Sequence, residues 1–528
     1  MKSILLLLLL PAFAMAQHYP WAIGEGGVGS DIGKNIRFDK AGNVLLCGDI
    51  AGDAKFRGTL RKGHGLSDGF VAKYNTNGSL QWVQMLGGIK VDKASDCAAD
   101  NSNAVYVTGY FEDSMSVGNK GAKSKGLSDI YVAKIDATGN PVWLKTFGGT
   151  KTDQAYSIIT DNSGNIYICG TYTTSIQFGS FTLSSTNGFP ESFLAKLDNN
   201  GSVLWAKSSK ASYTNTANSL CLLSNGDIAV TGYFSQNYTL DTTTVNASST
   251  NYQVFLARFD GNGNLKWLKS VGGSYDDVAN SICTDGTNVF ICGYSSGSAS
   301  FGAFNIGNSG YNDPFVAKFD EQGICQWVNR GEGTKLDIGN GICCDQYGNV
   351  YATGFYEYNI TFSGRSISGP DRNIFMVSYD TNGNIRWLQN AGESGTDCGL
   401  GINVDAQGNV YNTGYYLYRC IFGSTLLPLP EAEDIYLAKL DQTTVGISNE
   451  NTIEFSIYPN PTHGQFTLQG DLPYGLRYSV YNSLGELVTS STLQNKTIST
   501  KDWTDGLYML SLMKDQTIVG RKTFVIQQ

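Results

Sequence analysis

Residues 128–153 read SDIYVAKIDATGNPVWLKTFGGTKTD, and the skeleton of this phrase decides the fold: an aromatic, an Ala-Lys pair, Asp-x-x-Gly, a Trp and a Gly-rich turn. Two apolar runs of strand length flank a tight polar turn, the pattern of an antiparallel hairpin. The phrase returns along the chain. Trp21, Trp82, Trp143, Trp205, Trp267, Trp327 and Trp387 recur at near-constant intervals, and a period this regular is a unit of structure. Each unit carries four apolar segments, as in LKWLKSV, ANSICTD, NVFICGY and FVAKFD after residue 264. None sustains a helical stripe, so an all-β chain is expected.

Four strands per unit, many times repeated, predict a β-propeller. Seven copies of the Ala-Lys strand, from FVAKYN to YLAKLD, predict seven four-stranded blades over residues 17–443. The ends carry further information. YLAKLD has no Trp strand after it, and YPWAIG, around Trp21, has no Ala-Lys strand before it. The Trp21 strand is therefore expected to close the last blade, removing the two unpaired edges that a linear array would leave. Strand order sends the longer inserts, such as FEDSMSVGNKGAKSKGLS, to one face, where variable loops on a rigid scaffold commonly bind ligands.

The pattern D-x-G-x-x-I-x-x-D-x-x-G-N-V-Y-x-T-G, followed by D-x-F-V-A-K-x-D-x-x-G and W, resembles the bacterial β-propeller repeat SBBP of secreted and surface proteins. The resemblance covers roughly residues 17–443, and Asp337, Asp345, Gly348, Asn349, Tyr351, Thr353 and Gly354 match it. SLCLLSNGD, after Trp205, and FMVSYD, which lacks Ala-Lys, depart from it. It implies a fold and brings no catalytic residue set.

The chain's two ends read as addresses. MKSILLLLLLPAFAMAQ has one cation, a short apolar run and an Ala-Met-Ala site, as a signal peptide over residues 1–16 does. No later run is apolar enough to span a membrane. After a polar linker at 444–452, residues 453–528 break into strand-length runs between Gly, Asn and Pro turns, predicting a small β-sandwich. This segment resembles the type A C-terminal sorting domain of type IX secretion, on Pro459, Asn460, Pro461, Gly464, Tyr481, Gly485, Gly506, Tyr508 and Lys522. The resemblance implies the type IX machinery as a partner. It also implies passage across both membranes of a Gram-negative bacterium to the surface or medium, with the domain often removed on arrival.

Composition excludes more than it assigns. With 37 Lys+Arg against 46 Asp+Glu and no basic cluster, the chain lacks the electrostatic footprint of a nucleic-acid binder. The 11 cysteines follow the repeat and replace Ala, Ile or Thr of other copies, so they read as small buried hydrophobes. Three histidines and the absence of HExxH, CxxC or a phosphate loop leave no catalytic or metal signature. Asp39, Asp100, Asp161, Asp285, Asp345 and Asp405 each follow a Trp at one fixed spacing, that of Asp39 from Trp21, and read as turn caps. Asp31, Asp92, Asp153, Asp277, Asp337 and Asp397, with Asn215, follow a Trp at a shorter fixed spacing, that of Asp31 from Trp21. They should ring the channel mouth at the starts of the innermost strands, either holding backbone N–H groups between blades or attracting a cation such as calcium or a basic partner. Tyr110, Tyr233, Tyr294, Phe355, Tyr356, Tyr415 and Tyr416 offer sugar-stacking faces or blade packing. The expected function is a non-enzymatic surface module, without a cofactor, that binds an extracellular protein or glycan. The alternative is a polysaccharide-degrading glycosidase or lyase using loop carboxylates, with Glu332, Glu357 and Glu393 as the nonrepeated acids to inspect.

Overall fold

The computed structural model describes residues 18–185, 187–307, 309–441, 455–482, 487–514 and 517–527. The expected leader at 1–16 and linker at 444–452 lie outside them. Among the described residues there is no helix, and none is therefore long and apolar enough to cross a membrane. They divide into two compact units, Gln17–Gln442 and the C-terminal part of Thr443–Gln528.

In the larger unit each repeat folds into four antiparallel strands in sequence order. Ile32–Phe38 pairs with Val44–Ile50, that with Asp68–Tyr74, and that with the Trp strand Leu80–Leu86. The same order recurs over 92–147, 153–208, 215–273, 277–333 and 338–391. The final set joins Cys398–Val404, Val410–Tyr416 and Asp434–Asp441 to His18–Gly27, with Trp21 opposite Lys439 and Ile23 opposite Leu437. The N-terminal strand thus supplies the fourth strand of the last set. The second and third strands are buried along most of their length, as continuous apolar runs covered on both faces must be.

Five of the sets are joined to the preceding one by a recurring backbone bond, from the residue that opens a first strand to the carbonyl preceding the previous Ala-Lys strand. Asp92 N–H donates to Ser67 O (2.9 Å), Asp153 to Ser128 (3.0 Å), Asp337 to Asn312 (3.1 Å) and Asp397 to Arg372 (3.1 Å). Asp31 N–H donates to Glu433 O (2.7 Å), so the first set meets the last in the same way. Side chains fill the junctions. Leu45, Cys47 and Val71 pack with Val105, Val107 and Tyr131, and Ile36 and Val44 pack with Tyr411, Ile435 and Leu437. All 11 cysteines are free and buried or half-buried.

The repeated phrase is a clamp between sets. Trp143 Nε1–H and Lys134 Nζ both donate to Asn199 O, in the Asp-x-x-Gly turn of the next set, at 3.3 and 3.4 Å. Trp327 and Lys318 grip Thr381 O at 3.1 and 3.0 Å, and Trp267 and Arg258 grip Glu321 O at 2.9 and 3.1 Å. The indole lies flat on the turn's glycine: a Cβ on Gly139 would stand 2.8 Å from Trp82 Cγ, at a φ of +95° that already favours glycine.

The longer inserts are not free loops. They fold back as hairpins, Ala54–Phe56 with Thr59–Arg61 and Ser114–Val117 with Lys120–Lys123. Each edge strand then pairs with the Gly-rich end of a Trp strand, as Lys55 does with Gly26, Ser300 with Gly272 and Thr361 with Glu332. Unpaired backbone groups at the end of the outer strand take these hairpins as partners.

The smaller unit is a sandwich. A three-stranded sheet (Ser456–Tyr458, Gln465–Gln469, Thr497–Ser499) and a four-stranded one (Arg477–Tyr481, Leu487–Thr492, Gly506–Lys514, Thr517–Ile526) share a core of Phe466, Leu468, Val480, Leu510, Leu512 and Phe524.

Candidate functional site

The residues expected at a channel mouth do open the first strands, and the structure buries them. Asp31, Asp92, Asp153, Asn215, Asp277, Asp337 and Asp397 are at most 1% exposed. Each is held by donors of its own set or the preceding one. Asp31 Oδ1 accepts from Ala51 N (2.8 Å), Asp92 Oδ2 from Gly88 N (2.6 Å), Asp153 Oδ2 from Gly149 N (2.7 Å) and Asp277 Oδ2 from Gly273 N (2.6 Å). Asp337 Oδ1 accepts from Glu357 N (2.8 Å), and Asp397 Oδ1 from Leu417 N (3.2 Å). Asn215 Oδ1 accepts from Ser192 N and Ser209 Oγ, both at 2.8 Å. Backbone N–H groups thus cap the aspartates, while Asp31 Oδ2, Asp277 Oδ1 and Asp337 Oδ2 have no hydrogen-bond partner. Among the described residues no three His, Cys, Asp or Glu side chains are grouped to hold a metal ion. Burial pushes the carboxyls of Asp31, Asp92, Asp153, Asp337 and Asp397 up to about 7 and that of Asp277 to about 6, against the pull of their N–H donors.

A second position, which the spacing from Trp did not single out, faces the first. It opens the Ala-Lys strand and is filled by Asp68, Asp129, Glu191, Gln253, Asp313, Asn373 and Asp434. Asp68 raises Asp92, Asp129 raises Asp153, Asp313 raises Asp337 and Asp434 raises Asp31. The Gly-rich turn runs between the two: a Cβ on Gly392 would stand 2.4 Å from Asp397 Oδ2 and 2.7 Å from Asn373 Oδ1. The signal was in the sequence, as the Asp of D-x-F/Y-V-A-K.

Inside the first strands lies a cavity of about 200 Å³, lined in part by Asn35, Asp96, Tyr156, Asn218, Asn280 and Asn340. Asparagines bridge neighbouring first strands: Asn218 Nδ2 donates to Ala279 O, Asn280 to Gly339 O, Asn340 to Gly399 O and Asn403 to Ile36 O, at 2.9 to 3.1 Å. Arg37 pairs with Asp96 at 3.0 Å. Of the aromatics, Tyr356 and Tyr416 are fully buried and serve packing, whereas Tyr110, Tyr233, Tyr294 and Tyr415 are half-buried. Tyr156 joins them, its phenol raised by burial and by Tyr233 and Tyr110. Tyr233 lies 4.6 Å from Tyr252 between ring centroids, and the Arg372 guanidinium sits 4.2 Å over Phe355.

The nonrepeated acids are each engaged by an arginine. Glu332 is bound by Arg330 (3.0 Å), Glu357 by Arg372 (2.9 Å) and Glu393 by Arg419. The turn caps behave as expected: Asp345 Oδ1 accepts from Tyr347 N and Asn349 N, both at 2.9 Å, and Tyr351 Oη donates to Oδ2.

In the C-terminal unit, Asn460 Oδ1 accepts from Val525 N (2.8 Å), and buried Tyr508 donates to Thr504 O (2.9 Å). Pro459, Pro461, Gly506 and Lys522 are exposed and Gly464 takes a φ of +77°. Gly485 lies outside the described residues.

Comparison with known proteins places the chain. Residues 142–174 match the β-propeller repeat family SBBP, and residues 456–527 match the secretion system C-terminal sorting domain family. The chain therefore carries a propeller repeat and a type IX sorting domain, which implies the secretion machinery as a partner and secretion or the cell surface as destination. An uncharacterized WD repeat-containing protein of Acanthamoeba polyphaga mimivirus is 21% identical over 79% of this chain and 38% of its own length. The regulatory protein FlaEY of Caulobacter vibrioides is 25% identical over 28% and 16%. The chain thus spans well under half of the curated relatives it matches. Among solved structures, a gluconolactonase of Xanthomonas campestris aligns with 79% of this chain and 99% of its own, at 11% identity and a TM-score of 0.30. PorZ, a surface component of the type-IX secretion system of Porphyromonas gingivalis, aligns with 95% and 93%, at 9% and 0.16. Likeness this distant bears on neither activity nor ligand.

Proposed function

We propose that residues 17–442 form a closed seven-bladed β-propeller, displayed outside a Gram-negative cell as a module that binds a protein or glycan through the tyrosines around its central opening. The observation that carries the ring is the single cavity to which the first strand of every set contributes, from Lys34 through Ser95, Tyr156, Asn218 and Asn280 to Asn340 and Leu400. The Asn403 bond to Ile36 O supports it, since it joins last set to first by the same type of contact as the others. Averaged electron micrographs of the isolated protein test it; six or eight lobes instead of seven would refute the blade count.

The binding reading rests on Tyr110, Tyr156, Tyr233 and Tyr294, half-buried rings at the end of the strands where the aspartates sit. Amphipathic rings held rigid offer contact area at low entropic cost. A glycan array, with titration calorimetry of its hits, is the test. Binding that survives Tyr156→Ala and Tyr233→Ala together, at unchanged melting temperature, would move the site elsewhere.

A further inference from the structure

A larger cavity, of about 880 Å³, opens where the N-terminal strand meets its hairpin, and none of the mouth tyrosines lines it. The repeat explains why it is unlike its counterparts. At the matching place after Trp, three copies have Met85-Leu86, Thr146-Phe147 and Ser270-Val271 and three have Ser208-Ser209, Arg330-Gly331 and Asn390-Ala391; this copy has Gly24-Glu25, the one acid at that place. Gly24 leaves space that the Tyr416 hydroxyl enters, since a Cβ there would stand 2.3 Å from Tyr416 Oη. Glu25, where Leu86, Phe147 and Val271 stand in three other copies, is 3% exposed, and it accepts from Arg57 N (2.6 Å) and Tyr74 Oη (3.4 Å).

Asp434 shares the cavity. Its Oδ1 and the Oδ2 of Asp31, which is 1% exposed, both face the space a side chain on Gly26 would take, at 2.1 and 2.9 Å from a Cβ built there. The Gly27 N–H is close enough to lower both carboxyls, yet neither oxygen has a hydrogen-bond partner. Around the opening, Val28, Leu60 and Leu429 are 67%, 48% and 76% exposed. The lining holds four acids, Glu25, Asp53, Glu431 and Asp434, against Lys55 and Arg57, and no aromatic ring.

We propose that this cavity is a binding site for a lysine or arginine side chain on a protruding segment of a partner protein. The aliphatic stem covers Val28, Leu60 and Leu429, and the cationic head reaches the carboxyls of Glu25 and Asp434. A sugar would find no stacking face. The volume exceeds one side chain, so the segment enters with its flanking residues.

Glu25 faces Arg57, Tyr74 and Asp434; Asp434 faces Asp31 and Glu431; Lys55 and Asp53 lie at the rim. Burial holds Glu25 and Asp434 at about 7. A cation that enters stabilises their ionised forms, so binding tightens as pH rises from 6 to 8.

The test is calorimetric titration of the full chain with the probe peptide acetyl-Ala-Lys-Ala-amide and its Glu counterpart. Millimolar binding of the Lys peptide is expected, about tenfold weaker at pH 6 than at pH 8 and about tenfold weaker in Glu25→Gln, a variant that keeps an acceptor for Arg57 N–H. Glu431→Lys, at the exposed rim, should weaken it several-fold without touching the fold, and Glu321→Gln, outside the cavity, should leave it unchanged. Equal binding of the Glu peptide, no binding of the Lys peptide, or indifference to Glu431→Lys in the folded protein would overturn the site.

Discussion

At the scale of single residues, the two positions that face each other at the junctions differ in charge from set to set. Where Asn215, Gln253 or Asn373 stands, an amide donates to backbone carbonyls, as Gln253 Nε2 does to Gly273 O at 2.7 Å. At Asp68 with Asp92, Asp129 with Asp153, Asp313 with Asp337 and Asp434 with Asp31, both positions are carboxyls, and burial together with the facing charge favours a retained proton on the first-strand member. The pH dependence follows in sign. These carboxyls titrate higher in the folded than in the unfolded chain, where Asp lies near 3.9. The folded state therefore binds more protons, and stability is full below about 4 and declines as pH rises through about 7. We expect the melting temperature to fall steadily from pH 5 to pH 8; a flat profile would refute the retained protons. Asp129→Asn copies the amide of Asn373 and should gain about 1 kcal/mol at pH 8, and little at pH 5, in thermal melts. The aspartates that open the first strands were legible because their constant spacing from Trp picks them out. Their burial was not, because sequence shows where a residue stands on a strand and not what packs over it.

At the scale of elements, strand order was readable from apolar runs and turn residues, and the hairpins were not. Ala54–Phe56 and Ser114–Val117 are three and four residues long, too short to show a period in the sequence, and their pairing in hairpins and with the ends of Trp strands makes them strands. The clamp explains what the repeat preserves, since Trp, Lys and the turn glycine contact one another across a junction. Gly139→Ala forces a Cβ to within 2.8 Å of Trp82 Cγ at a φ of +95° and should cost about 1–3 kcal/mol. Trp143→Phe keeps most of the packing and loses the bond to Asn199 O, for about 1 kcal/mol. Urea unfolding of both variants measures the difference, and an equal cost for the two would show that the glycine conformation is not what the turn requires.

At the scale of the whole molecule, the N-terminal strand and the sorting domain lead to different expectations. Deleting residues 18–24 removes Trp21 and exposes the edge of Asp434–Asp441, so a lower melting temperature and aggregation are expected; a melt matching the full chain would refute the clasp. Deleting residues 453–528 should leave the transition of the larger unit nearly unchanged while retaining the protein in the periplasm, as fractionation of the host would show. The regular return of Trp gave away the strand order because each repeat solves one packing problem; Glu25 gave no signal because an acid stands at its place in a single copy. The pairing of Trp21 with Lys439 also has a temporal side. The two partners are separated by nearly the whole length of the unit, so a chain delivered from its N-terminus holds its first strand without a mate until almost everything else has arrived. Pairing this distant is slow to form, and the arrival of Asp434–Asp441 sets the moment at which the earliest residues become safe from proteases and from one another.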